Sequence, residues 1–307
     1  MTLGGFGLRR KNYDFPPFRP PSEADSLLLR VTRGCPWNRC TFCSMYKTIK
    51  FEIRSLEEVQ SDIQVAKELY GERVRNVFIG DSNSLVTKTE NMIKILHSLD
   101  ASFPQVERVT SYARAKTLVQ RPLEDLKKIR QAGLTRLHVG LETGDRDLLK
   151  EICKGATPEE MIEGGKKAKE AGFEYSLYVL LGVGGQEKWE QHARGTAAVL
   201  NQIDPHFIRI RTLIPQPSCS LYEDMAEGCF QLPGLEALLK ETKLLLEQLE
   251  VTSQFLSDHI SNLLPLHGKL PEDRAKMVRM IEEALIGLGK DAQLREEMEA
   301  RRHLTNL

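Results

Sequence analysis

Leu27-Leu28-Leu29-Arg30-Val31-Thr32-Arg33-Gly34-Cys35-Pro36-Trp37-Asn38-Arg39-Cys40-Thr41-Phe42-Cys43 is the stretch that decides the fold. Its first six residues, apolar but for Arg30 and Thr32, make a run of strand length, and it empties directly into a loop of three cysteines. Outward from it the apolar period switches repeatedly between two and 3.6. That switching predicts further strands at 74–79, 106–111, 136–141, 174–181 and 206–213, with helices at 56–70, 90–99, 123–132, 158–171 and 189–201. Gly71, Gly133 and Gly172 stand just past three of these helices, where a left-handed cap is wanted. Strand spacings of roughly 30 to 45 residues suit right-handed crossovers in a parallel sheet. The expected fold is therefore α/β, a partial (β/α)6 TIM-like barrel of parallel strands. Pro215-Gln216-Pro217 ends the pattern, and helices at 235–250 and 272–288 predict a C-terminal helical extension. The expected organisation is an N-terminal extension (1–25), the barrel (26–222), the helical extension (223–300) and a tail (301–307).

Composition narrows the function. The chain of 307 residues carries 43 Lys plus Arg against 43 Asp plus Glu, a formal charge of zero that disfavours a dedicated nucleic-acid binder or a polybasic membrane-surface protein. Residues 1–54 nevertheless hold ten basic side chains against four acidic ones, so a nucleic-acid partner stays open without positive support. An apolar fraction of 41% is enough for a sizeable core, which sets aside disorder. No apolar run reaches the roughly 18 to 20 residues of a membrane span, and no apolar stretch follows the basic Arg9-Arg10-Lys11. A cytoplasmic location is expected, where clustered thiols signal metal or redox chemistry.

Cys35, Cys40 and Cys43 are spaced C-x4-C-x2-C at the carboxyl end of a strand, and three thiolates on one loop suit a metal centre. Structural zinc wants four closed ligands, yet the next candidates are as far off as His97 and Cys153. A 4Fe-4S cluster normally takes four thiolates, so three leave one iron open to a ligand that is not protein. Zinc completed from afar, in a binding module without catalysis, is the rival reading, and ordinary buried cysteines a third.

The motif resembles that of the radical S-adenosylmethionine (SAM) superfamily, whose usual signature is C-x3-C-x2-C with an aromatic residue before the last cysteine. Phe42 holds that position, and the extra residue in the first gap is a variant also found in the Elongator catalytic subunit. The resemblance spans about residues 26–222 and is nearest to the branch of oxygen-independent coproporphyrinogen oxidases and the Elongator subunit. It implies a 4Fe-4S cluster on the three cysteines whose open iron binds the amino and carboxylate groups of SAM. It further implies reductive cleavage of SAM to methionine and a 5′-deoxyadenosyl radical, which abstracts hydrogen from an unidentified substrate. An electron donor such as flavodoxin or ferredoxin is expected, and an RNA or tetrapyrrole substrate is the alternative suggested by branch.

In barrels of this kind the carboxyl ends of strands converge on one mouth, and each end offers candidates. Gly80 lets a ligand approach the backbone, with Asp81 and Ser82 as acceptors for an ammonium group; the resemblance implies the turn that binds the methionyl amine, against a helix-cap role. By the same resemblance Ser111 lies near the methionine or ribose, and Arg114 is placed to meet a substrate acid. Glu142 implies a ribose contact, and Lys154, twelve residues on, a partner for the methionyl carboxylate. Leu181 and Gly182 correspond to a strand that lines the adenine, with Tyr178 on the same run. Arg209 and Arg211 share a face of the sixth strand, which ends at Leu213; inside a barrel they need anionic partners. Arg209 and Leu213 are taken as cofactor contacts, and Arg211, His259 and Asn262 as substrate contacts with Arg114. Cys153, Cys219 and Cys229 read as buried or incidental thiols.

Overall fold

The computed structural model describes residues 14–302. The strands are β1 (Leu27–Arg30), β2 (Thr32–Arg33), β3 (Glu52–Ile53), β4 (Asn76–Gly80), β5 (Arg108–Ala113), β6 (Arg136–Glu142), β7 (Glu174–Leu181), β8 (Phe207–Thr212), β9 (Gln254–Ser257) and β10 (Leu266–Lys269). The helices are α1 (Leu56–Tyr70), α2 (Thr89–Ser102), α3 (Ala115–Gln120), α4 (Leu123–Gln131), α5 (Arg146–Glu151), α6 (Pro158–Glu170), α7 (Trp189–Ile203), α8 (Ser220–Ala226), α9 (Leu235–Gln248), α10 (Arg274–Leu288) and α11 (Ala292–Arg301).

One sheet runs β1-β4-β5-β6-β7-β8-β9-β10, parallel up to β9 and closed by the antiparallel β10. Spatial order follows chain order, so right-handed crossovers put successive helices on one face and leave the other as the lumen of an open barrel. The six expected parallel strands are all present. The expected helical extension is corrected: it carries β9 and β10 as well as helices, and the segment with His259 and Asn262 is the loop between those two strands.

Local chemistry explains the crossovers. α1 starts at a reciprocal capping box between Ser55 and Glu58, and α6 at a second one between Thr157 and Glu160 with Pro158 in the first turn. Val59, Ile63 and Ala66 make the buried stripe of α1, each aliphatic side chain worth roughly 1.5–3 kcal/mol when fully buried, alanine less. Gly71, Gly133 and Gly172 all take positive φ, as the caps require. The main core fills the space between sheet and helices. A smaller cluster of Ile152, Leu180, Val183, Leu213, Cys219 and Leu221 sits apart, with Phe42 packed against it.

Candidate active site

The cysteine loop is fastened at its root. Gly34 N–H donates to Asp81 Oδ2 at 2.7 Å, and Ser82 Oγ donates to the Gly34 carbonyl at 2.9 Å. Arg30 grips the same carboxylate, with Nη2 2.7 Å and Nε 3.1 Å from its two oxygens. Gly34 has φ +73°, and a Cβ there would stand 2.8 Å from the Ile49 carbonyl oxygen, so the turn demands glycine. Farther along, Asn38 takes φ +48° and its N–H points at Cys35 Sγ at 3.4 Å. Thr41 N–H donates to the Ile152 carbonyl, and Leu221 N–H to the Thr41 carbonyl, stitching the loop to the ends of α5 and α8.

All three thiols are partly exposed. Burial pushes Cys40 above its ordinary thiol value and Cys43 up to about 11, against the pull of Lys154; a metal centre must displace those protons on binding. Among the described residues no three His, Cys, Asp or Glu side chains converge at single-ion distance. Soft thiols on one loop beside cationic Lys154 and Arg114 suit an anionic iron–sulfur cube, whose thiolates take separate corners.

On the opposite rim Glu142, at φ +63° beyond a bulge in β6, accepts a 2.7 Å bond from Lys154 Nζ. Burial lowers the Lys154 pKa, but the charges of Glu142 and Cys40 outweigh it and the net direction is upward. Lys154 Nζ also stands 5.9 Å from the Phe42 ring centre, which ties the rim to the cysteine loop. Residues 29–194 match the model described as the Radical SAM superfamily.

The chain belongs to the radical SAM superfamily. Its enzymes bind a 4Fe-4S cluster and SAM. The chain is 25% identical over 179 residues to the heme chaperone HemW of Bacillus subtilis (strain 168), covering 58% of this chain and 46% of that one. It thus spans less than half the length of that relative. The coproporphyrinogen III oxidase HemN of Escherichia coli superposes with a TM-score of 0.53 at 16% identity, covering 73% of this chain and 52% of that one. Methylornithine synthase gives 0.51 at 17% identity and covers 90% and 86%. At these identities the two structures bear on the fold alone.

Within this radical SAM fold the expected site residues separate into two groups. Cys35, Cys40, Cys43, Phe42, Arg114, Glu142 and Lys154 are brought together: Arg114 Nη2 donates to the Lys154 carbonyl at 3.1 Å and its guanidinium lies 5.1 Å from the Trp37 ring. Leu213 joins Phe42 in the small apolar cluster. Tyr178, Arg209 and Arg211 occupy the lumen, with Arg209 Nε donating to Ser176 Oγ.

Several of the expected residues are committed to partners within the protein. Asp81 is fully buried and committed to Arg30 and Gly34, so it anchors the loop in place of receiving an ammonium group. Ser82 supports the same turn, and Gly80 is buried with Pro16 where its side chain would be. Ser111 spends its hydroxyl on the Ile79 carbonyl at 2.9 Å. Gly182, at φ +80°, gives its N–H to the Glu241 carboxyl, and Leu181 lies in the main core. Asn262 bridges Thr212 Oγ1 and the Ile210 carbonyl, pinning the β9–β10 loop on β8. Among the other thiols only Cys219 is buried; Cys153 and Cys229 are exposed.

Three residues were not foreseen. Trp37 donates from Nε1 to the Cys153 carbonyl at 2.7 Å and lies where any side chain at Gly155 would go. A Cβ on Gly140 would stand 2.0 Å from Glu142 Oε1, so glycine there makes room for the Glu142–Lys154 pair. Arg30, on the face of β1 opposite Leu27, Leu29 and Val31, is the clamp on Asp81.

Proposed function

We propose that Cys35, Cys40 and Cys43 hold a 4Fe-4S cluster with one iron left for SAM, and that this enzyme initiates a radical reaction by hydrogen abstraction from its substrate. The observation that carries the reading is the loop of three thiols, pinned by Asp81 and Arg30 at the carboxyl end of β1 and facing the Glu142–Lys154 pair. Such a cluster, when bound and reduced, would supply the electron that splits the SAM sulfonium into methionine and a 5′-deoxyadenosyl radical. The protein's part is to bind, orient and shield. Lys154 offers an ammonium to a carboxylate and Glu142 two acceptors to hydroxyls. Phe42, Leu180 and Leu213 form an apolar wall that keeps water from the reacting centre.

The test is anaerobic reconstitution with iron and sulfide, followed by dithionite and SAM. The wild type is expected to form 5′-deoxyadenosine and methionine, and the Cys35→Ala/Cys40→Ala/Cys43→Ala variant to form none. Activity retained in that variant, or zinc without iron and acid-labile sulfide after anaerobic purification, would overturn the reading.

A further inference from the structure

Side chains alternate between helices and lumen along each strand of the open barrel. The lumen set meets in a row: the Tyr112 and His138 ring centres lie 6.1 Å apart, His138 and Tyr178 6.0 Å, and the Arg211 guanidinium stands 5.2 Å from the Tyr178 ring. His138 within the row is wholly buried, as are Thr110 and Ser176, and Arg209 is 5% exposed. Tyr178, Arg211 and His259 are only half-buried. The lumen therefore has a sealed floor and an open mouth at the carboxyl ends of the strands.

Charge in this lumen does not balance. Arg30 is matched by Asp81, Arg108 by Glu23, Arg136 by Glu174 and Lys154 by Glu142. Arg209 and Arg211 have no carboxylate at salt-bridge distance among the described residues; their hydrogen bonds go to Ser176 Oγ and to the Ile210 carbonyl. Residues 1–13 and 303–307 contain no Asp or Glu that could supply one. Asp258 is exposed and acts on Arg211 only at a distance, and burial pushes the Arg211 guanidinium below its ordinary value. The Tyr178 hydroxyl beside it is buried without a hydrogen-bond partner. A desolvated guanidinium and an orphaned hydroxyl both cost free energy until a ligand satisfies them. The guanidinium fork matches a carboxylate or a phosphate with two parallel bonds.

We propose that the substrate is a small organic oxyanion whose carboxylate or phosphate docks on Arg211 at the mouth of the lumen, with the Tyr178 hydroxyl donating to it and Arg209 adding charge from below. This rests on the radical SAM reading of the mouth, and it puts the substrate acid on β8, two residues before Leu213 of the apolar cluster that Phe42 of the cysteine loop packs against.

The experiment is calorimetric titration of the cluster-reconstituted protein, in saturating SAM and low salt, with inorganic phosphate and separately with succinate. One of the two probes is expected to bind saturably in the millimolar range; phosphate winning assigns a phosphorylated substrate, succinate a carboxylated one. Arg211→Gln should weaken that binding at least tenfold, Tyr178→Phe severalfold, and the exposed Lys128→Gln not at all. The Arg211→Gln protein without probe should melt no lower than wild type, because the desolvated charge it loses has no carboxylate partner. Absence of saturable binding by either probe, equal binding in Arg211→Gln, loss of binding on adding SAM, or a lower melting temperature of that variant would each overturn the proposal. Formation of 5′-deoxyadenosine by the wild type is read in parallel: its absence sinks the radical SAM reading, whereas its presence with no probe binding sinks only the oxyanion site.

Discussion

Lys154 Nζ stands 2.7 Å from Glu142 Oε1 across twelve residues of chain, in a pair that is 14% exposed on each side. A half-buried pair at the mouth of a ligand site is held by charge but open to exchange, so a ligand bearing an ammonium, a carboxylate and hydroxyls can take over both partners. Replacing Lys154 by Met should lower SAM affinity about tenfold to a hundredfold, the loss of one charge-assisted hydrogen bond of about 1.5–3 kcal/mol. Equilibrium dialysis of SAM against the reconstituted protein checks this, and an unchanged affinity removes Lys154 from the site.

The Arg30–Asp81 contact predicts a coupling between fold stability and iron content. Asp81→Ala leaves the Gly34 N–H unpaired and the Arg30 guanidinium with only the partly exposed Asp14, and breaking a buried pair of this kind costs up to about 3–5 kcal/mol. Asp14, also on Arg30 but partly exposed, should cost about 1 kcal/mol or less as Asp14→Asn. Urea midpoints give the two stabilities, and iron per chain after reconstitution should fall in the Asp81 variant and hold in the Asp14 variant.

How much of this was legible in the sequence follows from the range of each interaction. The six parallel strands and their crossovers are written in repeating periods, which survive local noise. β9 and β10 are four residues each and carry no period long enough to read, so their segment passes for part of a helical extension. The cysteine loop is local, and its spacing alone points to a cluster. Asp81 is different: Gly80-Asp81-Ser82 looks the same whether its carboxylate faces a ligand or a buried arginine 51 residues away. Alternation puts Arg209 and Arg211 on one face but leaves open which face; the ring contacts with Tyr178 and Phe207 decide it.

Trp37 and Gly155 offer a test of loop placement. Gly155 has φ +69°, and a Cβ there would fall 2.4 Å from the Trp37 ring. Gly155→Ala therefore adds a left-handed backbone cost of about 1–2 kcal/mol to a clash that must move the cysteine loop. Reduced iron retention and a shifted emission maximum of Trp37, read in a Trp189→Phe background, are expected. Trp37→Phe keeps a smaller aromatic ring, loses the bond to the Cys153 carbonyl, about 1 kcal/mol, and part of the stacking on Arg114, and should retain the cluster.

Glu241 makes the stability of the barrel depend on pH. It is fully buried on α9, accepts from Gly182 N–H at the end of β7, and lies 3.3 Å from His192 Nε2. Burial pushes its carboxyl up to about 8 and the His192 imidazole down to about 3. The folded state thus holds a proton on Glu241 that the unfolded chain releases above pH 4.5, so this contribution is lost as pH rises towards 8. His192 acts in the other direction, losing stability as pH falls from 6.5 to 3, and the buried His138, lowered by burial to about 4, follows the same sense. Between pH 6.5 and 8 Glu241 therefore titrates without opposition from either histidine, while the raised Cys40 and Cys43 thiols begin to matter only near pH 9. Across that window the wild-type protein without cluster should lose on the order of 2 kcal/mol. Glu241→Gln keeps an acceptor for Gly182 N–H and cannot ionise, so its urea midpoint should stay level from pH 6.5 to 8 and exceed that of wild type at pH 8. A wild-type midpoint that does not fall over this range would mean that Glu241 is already ionised in the folded protein.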